Sequence, residues 1–233
     1  MLPLDAMTKI LTALCLLIAL GSATPSHAAQ FRQDAPSVPA AAPEDGRLAF
    51  TILRNGHPIG SQTWTFDYEG DRLAVKAETS IVVRVLGITV YRRTQTYREW
   101  WDGDRLIQVE SRAVAGGTKK WLQLSDEGDA VRVEGSSFVG TMPAGTPVAS
   151  YWHAGLIGHE RAIDGDDGEI MDYTVEPAGS LSVQVRGGSD EARGYRLRGD
   201  LNVDLWYDQE GLLAKARFVG SDGSDIDFVR DPD

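Results

Sequence analysis

The chain has 233 residues, 42% hydrophobic and 24% charged, a balance that supports a folded core and excludes a wholly disordered chain or one built of membrane spans. Its formal net charge is −11, so its field repels a phosphate polymer and no nucleic-acid partner is expected. The charge is uneven: Lys76 to Lys120 carries nine basic and five acidic residues, Glu160 to Asp233 eighteen acidic and eight basic, which reads as two solvated faces of opposite sign in preference to a basic site for an anionic lipid or glycan.

The first residues are Lys9, the apolar run ILTALCLLIALG from Ile10 to Gly21, and a stretch ending in Ser26-His27-Ala28. This is the pattern of a cleavable secretory signal peptide over residues 1–28. The run is shorter than the ~20 residues that cross a bilayer, and Ser26 and Ala28 offer small side chains to a signal peptidase. Cys15 lies inside the run after Leu14, which rejects a lipid-modified cysteine. The mature chain then has no cysteine, hence no disulfide, thiolate metal site or cysteine nucleophile. A periplasmic protein that does not span the membrane after cleavage is expected. Residues 29–45, rich in Ala and Pro, read as a disordered tail.

A single domain is expected over residues 46–230. In SQTWTFDY, Gln62, Trp64, Phe66 and Tyr68 alternate with Ser61, Thr63, Thr65 and Asp67, the period of a half-buried strand. RLAVKAET opposes Leu73, Val75 and Ala77 to Arg72, Lys76 and Glu78 in the same way. Asn55-Gly56, Glu69-Gly70-Asp71, Asp102-Gly103-Asp104, Gly116-Gly117 and Glu127-Gly128-Asp129 supply the turns of a meander of hairpins. Val82 to Val90 is nearly all apolar with Gly87 at a turn, so this tip is either buried or a contact surface for a membrane or a partner.

Further strands are expected at Ile170–Glu176, Leu181–Val185, Tyr195–Leu197, Asn202–Tyr207, Leu213–Val219 and Ile226–Val229. Between the two sets, Thr146 before Pro147, with Ala149, Trp152, Leu156 and Ile163 at helical spacing, predicts one short helix near 147–160 whose Trp152 plugs the curl of the sheet. The fold class is therefore all-β, an antiparallel meander of roughly ten strands curled into a barrel or deeply bent sheet.

The pieces RNGHPIGSQTWTF, VYRRTQTYREWWDGDRLIQVESRAVAGGTKKWLQL, ASYWHAGLIG and YRLRGDLNVDLWYDQEGLLAKARF resemble the bacterial domain-of-unknown-function family 6134, and more distantly family 3108. The resemblance covers nearly all of residues 47–230 and is carried by Gly56 with Ile59-Gly60, Glu99-Trp100, Tyr151-Trp152 and Leu205-Trp206-Tyr207. It implies an exported β protein of Gram-negative bacteria with no established activity. Family members often have His where Gln62 stands and Asn where His153 stands, so any site built on those positions is altered in this chain.

Local enzyme signatures are missing: there is no Gly-x-Ser-x-Gly elbow, GxxxxGK[ST] phosphate loop, GxGxxG or HExxH. His153 and His159 are six apart and do not share a helix face, so with Glu160 they read as structural or surface groups rather than metal ligands. Asp164, Asp166, Asp167 and Glu169 depart from a calcium loop at its glycine and read as a solvated acidic turn. Neither catalytic residues, nor a metal, nor a cofactor is expected.

The aromatics Trp100, Trp101, Trp121, Trp152, Trp206 and Tyr207 are core and rim packing by default. An open curl lined by them, with Arg92, Arg93 or Arg98 at its mouth, would suit an amphiphile with an anionic head. The functional expectation is a noncatalytic envelope protein that holds a hydrophobic or amphiphilic ligand, or an envelope-protein partner. Its candidate ligand-binding residues are Arg92, Trp100, Tyr151, Trp152 and His153. The alternatives are a structural or assembly module with a filled core, and a hydrolase of unfamiliar type using His153, Glu160 or nearby aspartates.

Overall fold

The computed structural model describes residues 42–185 and 188–232; the signal peptide and most of the tail expected above fall outside these. Described strands are β1 (Arg47–Arg54), β2 (His57–Glu69), β3 (Arg72–Val85), β4 (Ile88–Asp102), β5 (Arg105–Ala115), β6 (Thr118–Asp126), β7 (Ala130–Gly135), β8 (Val139–Pro143), β9 (Arg161–Ile163), β10 (Ile170–Val185), β11 (Gly188–Gly199), β12 (Val203–Tyr207), β13 (Leu213–Val219) and β14 (Asp225–Arg230). The two-residue period produces them. In β3, Leu73, Val75, Ala77, Thr79 and Ile81 are buried while Arg72, Glu78 and Ser80 face out; in β2, Trp64 and Phe66 turn inward.

All the strands form one antiparallel sheet in the order β8-β7-β6-β5-β4-β3-β2-β1-β14-β13-β12-β11-β10-β9. Two meanders, β1–β8 and β9–β14, are joined where β1 pairs with β14, Phe50 opposite Arg230 and Ile52 opposite Phe228. The sheet curls without closing, and β8 and β9 are its two edges. The expected antiparallel meander is thus present, with 14 strands instead of roughly ten. Two of the expected strands, 170–176 and 181–185, are one long β10 in which the ladder continues across a bulge between Pro177 and Gly179. Gly179, at φ 74°, absorbs the extra residue beside a proline that has no N–H to give.

Across the seam the two ends of the sheet meet through loops. The Ser137 N–H donates to the Asp167 carbonyl at 3.0 Å. A Cβ added to Gly135 would lie 2.1 Å from that same carbonyl, so only glycine permits the approach.

The helix expected at 147–160 is not formed. Its backbone groups are taken by strands instead: Ala149 N–H donates to Ile163 O and Leu213 N–H to Trp152 O, both at 2.9 Å, and His153 bridges Leu212. Thr146, expected to cap the helix, gives its hydroxyl to the Pro143 carbonyl. What remains is a single 3-10 turn, Ala154–Leu156. Residues 148–157 are buried or half-buried throughout because the segment crosses the inside of the curl, so helical spacing there carried no facing information.

Trp152 does plug the curl, at 1% exposure. Its ring meets Phe66 edge-on at 5.0 Å and Trp101 at 6.3 Å. Glu99 of β4, fully buried, fixes it: one carboxylate oxygen accepts from the indole N–H groups of Trp152 and of Trp101, and the other accepts from the Tyr97 hydroxyl at 2.7 Å. Burial raises the Glu99 pKa, and the bonds from Tyr97, Trp152, Trp101 and Ser150 oppose that rise.

Indole N–H groups can only donate, whereas hydroxyls can turn and accept. Glu99→Ala, which strands the two indoles, is therefore expected to cost about 3–5 kcal/mol in urea unfolding, and Glu99→Gln under about 2 kcal/mol because its carbonyl serves the indoles while its amide faces the hydroxyls.

Candidate functional site

A cleft of about 300 Å³ opens beside the plug, lined by two walls of different chemistry. The polar wall comes from the inner faces of β2, β3 and β4 and from the turn between β9 and β10. The Trp64 indole donates to Gln62, whose amide donates to the Thr79 hydroxyl, both at 3.0 Å. Gln95 donates to Asp166 at 2.6 Å, and Arg93 grips the same carboxylate with both terminal nitrogens at 2.7 and 2.8 Å. The apolar wall is Leu213, Ala216 and Phe218 of β13 with Ile226 and Phe228 of β14. Tyr151 joins it with its ring edge-on to Phe218 at 5.7 Å, and its backbone lies at φ 68°, a conformation that a bulky residue holds only when its surroundings impose it.

Of the five expected ligand-binding residues, only Tyr151 lines the cleft. Arg92 and Trp100 lie on the outer face of β4, where Arg98 stacks over the Trp100 ring at 5.8 Å. Trp152 and His153 are in the core. Of the other lining residues, Thr79 and Gln95 carry no expectation from the sequence, Gln62 enters there only as an altered family position, Arg93 as one of three arginines at the mouth, and Asp164 and Asp166 as part of an acidic turn. Two of them carried a usable signal: Arg93 and Gln95 share the two-residue period of buried Tyr97, and that period separates them from Arg92.

The expectation of a solvated acidic turn is corrected. Asp167 is 3% exposed and is paired with Lys120 of β6 at 2.6 Å, while Asp166 is paired with Arg93. Burial pushes Asp167 up, but the Lys120 ammonium and the Glu169 N–H outweigh it and hold its carboxyl below the usual range. Asp164, in the cleft lining, forms no ion pair among the described residues. Burial lifts its carboxyl to about 6, with the negative charges of Asp166 and Asp167 adding to the rise.

His153 accepts a hydrogen bond on Nδ1 from Gly155 N–H at 3.0 Å and packs its ring on Trp152 at 4.5 Å. Burial drives its pKa down to about 3, so it is a neutral packing group near neutral pH, while His159 and Glu160 are exposed. The cleft thus offers amide and hydroxyl groups, a charge-balanced Arg93–Asp166 pair, one titrating carboxyl and an apolar surface. Because Arg92 faces away and Arg93 is engaged, it lacks the cationic mouth that an anionic head would need.

The family described as Domain of unknown function (DUF6134) matches residues 50–231. A solved structure with the same fold is the crystal structure of a β-barrel-like protein of the domain of unknown function DUF1849 from Brucella abortus, at TM-score 0.56 and 12% identity, covering 85% of this chain and 98% of the other. No curated protein matches the chain.

The pKa values of His153 and Asp164 act in opposite senses. Unfolded, His153 takes up a proton below about 6.5, but in the fold only near 3, so its contribution to stability falls by about 2 kcal/mol from pH 7.5 to pH 5. Asp164 keeps its proton up to about 6 in the fold, so its penalty shrinks over the same descent. His153→Asn, which retains an acceptor for Gly155, is expected to remove the histidine loss. Urea midpoints at the two pH values should fall on acidification in the wild type relative to this variant.

Proposed function

This chain belongs to the DUF6134 family, and we propose that it is a noncatalytic protein of the bacterial envelope that holds a small amphiphile in the cleft beside Trp152. The observation that carries this reading is the pairing of walls: Phe218, Ile226 and Phe228 face Gln62, Thr79 and Gln95 across one opening. A ligand with an apolar body and a hydrogen-bonding, uncharged head satisfies both walls at once. An anionic head would meet Asp164 and a guanidinium already held by Asp166.

The volume, about 300 Å³, is at the small end of ligand pockets, so it suits a head and the first part of a chain. Export is supported by the signal-peptide pattern of residues 1–28. The cleft weighs against a structural module with a wholly filled core. The hydrolase reading loses His153, which is packed in the core, and Glu160, which does not line the cleft, and keeps only the aspartates Asp164 and Asp166.

Native mass spectrometry of residues 29–233, purified gently from the periplasm, should show a copurifying molecule of defined mass. Ala216→Phe, which fills the cleft from its apolar wall, should reduce that adduct about tenfold or more, as loss of an apolar site does. A clean protein mass in the wild type overturns the reading.

A further inference from the structure

The β3–β4 hairpin runs past the rest of the sheet. β2 stops pairing with β3 at Gly60 opposite Ile81, and β5 stops pairing with β4 at Arg93 opposite Ala115. Beyond those points the hairpin ladder pairs only with itself, down to Val85 opposite Ile88. The end of this ribbon is apolar and bare: Leu86 is 97% exposed, Ile88 69%, Val90 58% and Val85 50%. The turn places Leu86 at φ 51° before Gly87 at φ 82°, where hairpins ordinarily use Asn-Gly. A large apolar side chain is thus held in a disfavoured backbone conformation and in water, and neither cost is offset by packing within the fold.

The surroundings of the tip specify what would cover it. Residues 82–94 and 111–121 contain no Asp or Glu in a chain of net charge −11. Arg93 and Lys120 in these stretches are paired with aspartates. Arg84, Arg92, Arg112 and Lys119 form no ion pair among the described residues and are exposed. The neighbouring β5–β6 turn is at the same end, its Gly116 N–H donating to the Arg92 carbonyl. On its outer face Trp121 and Val114 are 41% and 40% exposed, with Arg112 opposite Trp121 and Lys119 opposite Val114.

We propose that this end of the curled sheet docks on an anionic lipid bilayer, with the Val85–Val90 tip entering the acyl boundary, Arg84 meeting the headgroups, and Arg92, Lys119 and Arg112 further back adding longer-range attraction to the anionic surface. At a strand rise of ~3.3 Å per residue, Arg84 lies roughly 8 Å behind the tip, which matches the ~5–10 Å that interfacial elements sink. Apolar points backed by unpaired cations and an exposed tryptophan fit a soft anionic interface. A slender ribbon bare on both edges offers a rigid protein partner little area. Arg93 and Gln95 at the root of the ribbon line the cleft, so the docking ribbon and the cleft share strand β4. The docking stands whether or not the cleft holds a ligand.

The test is co-sedimentation of residues 29–233 with vesicles of phosphatidylethanolamine and phosphatidylglycerol, and with vesicles of phosphatidylcholine alone. Binding to the anionic vesicles that weakens with salt is expected. About tenfold weaker binding is expected for L86N/I88T and for R84Q/R92Q. Asn tolerates the φ of Leu86, so thermal unfolding of L86N/I88T should match the wild type and separate lost docking from misfolding. Failure of the wild type to bind anionic vesicles, or equal binding by the variants, overturns the proposal. So does a dimer of the wild type that L86N/I88T converts to a monomer in sedimentation velocity, which would assign the tip to a second copy.

Discussion

The carboxylate of Glu99 is the point on which the interior turns. It is fully buried, and donors from β4 and from the crossing segment converge on it: the Tyr97 hydroxyl and the indole N–H groups of Trp101 and Trp152. Donors, rather than a cation, hold this charge-bearing group in place. Because Trp152 belongs to a segment with no regular structure beyond one 3-10 turn, this tie does for the segment what a ladder does for a strand. The neighbours of Trp152 inherit the placement: Ser150 and Tyr151 on one side line the cleft, and His153 on the other meets Trp101 and Trp152. Tyr97 belongs to both systems, lining the cleft while donating to Glu99.

The cleft in turn depends on charges that meet across long stretches of chain. Arg93 and Asp166 are 73 positions apart, yet their pairing fixes the turn between β9 and β10 against β4. Lys120 and Asp167 add a second tie from β6. These pairs sit at the seam, where the sheet has no ladder to close it. Ion pairs so arranged serve geometry more than net stability, since desolvation consumes much of their attraction.

The same distances explain what could be read from the residues and what could not. Alternation around Trp64 and Phe66 and the glycine turns announced the antiparallel meander, since a strand declares its buried face locally. The crossing segment defeated that logic: Ala149, Trp152 and Leu156 are buried from several sides, so their spacing had no face to report. The sequence offers Arg92, Arg93 and Arg98 alike for the mouth of the curl, and only the register of the strand separates Arg92 from Arg93, one residue being the difference between solvent and cleft. The acidic turn looked solvated because Arg93 and Lys120 are its neighbours only after the sheet curls. The DUF1849 protein shares the fold at 12% identity, as expected where alternation and turns, more than particular side chains, specify the curl.

The join between β1 and β14 bears on how such a molecule comes into being. The last described strand made by the ribosome is not an edge; it lies in the middle of the sheet, between β1 and β13. Until it arrives, the two meanders share no ladder, and the contact that unites them, Phe50 opposite Arg230, spans most of the sequence. Closing so long a loop is slow. Completion of the curl therefore waits on β14, and loss of that strand would part the two meanders rather than trim an edge.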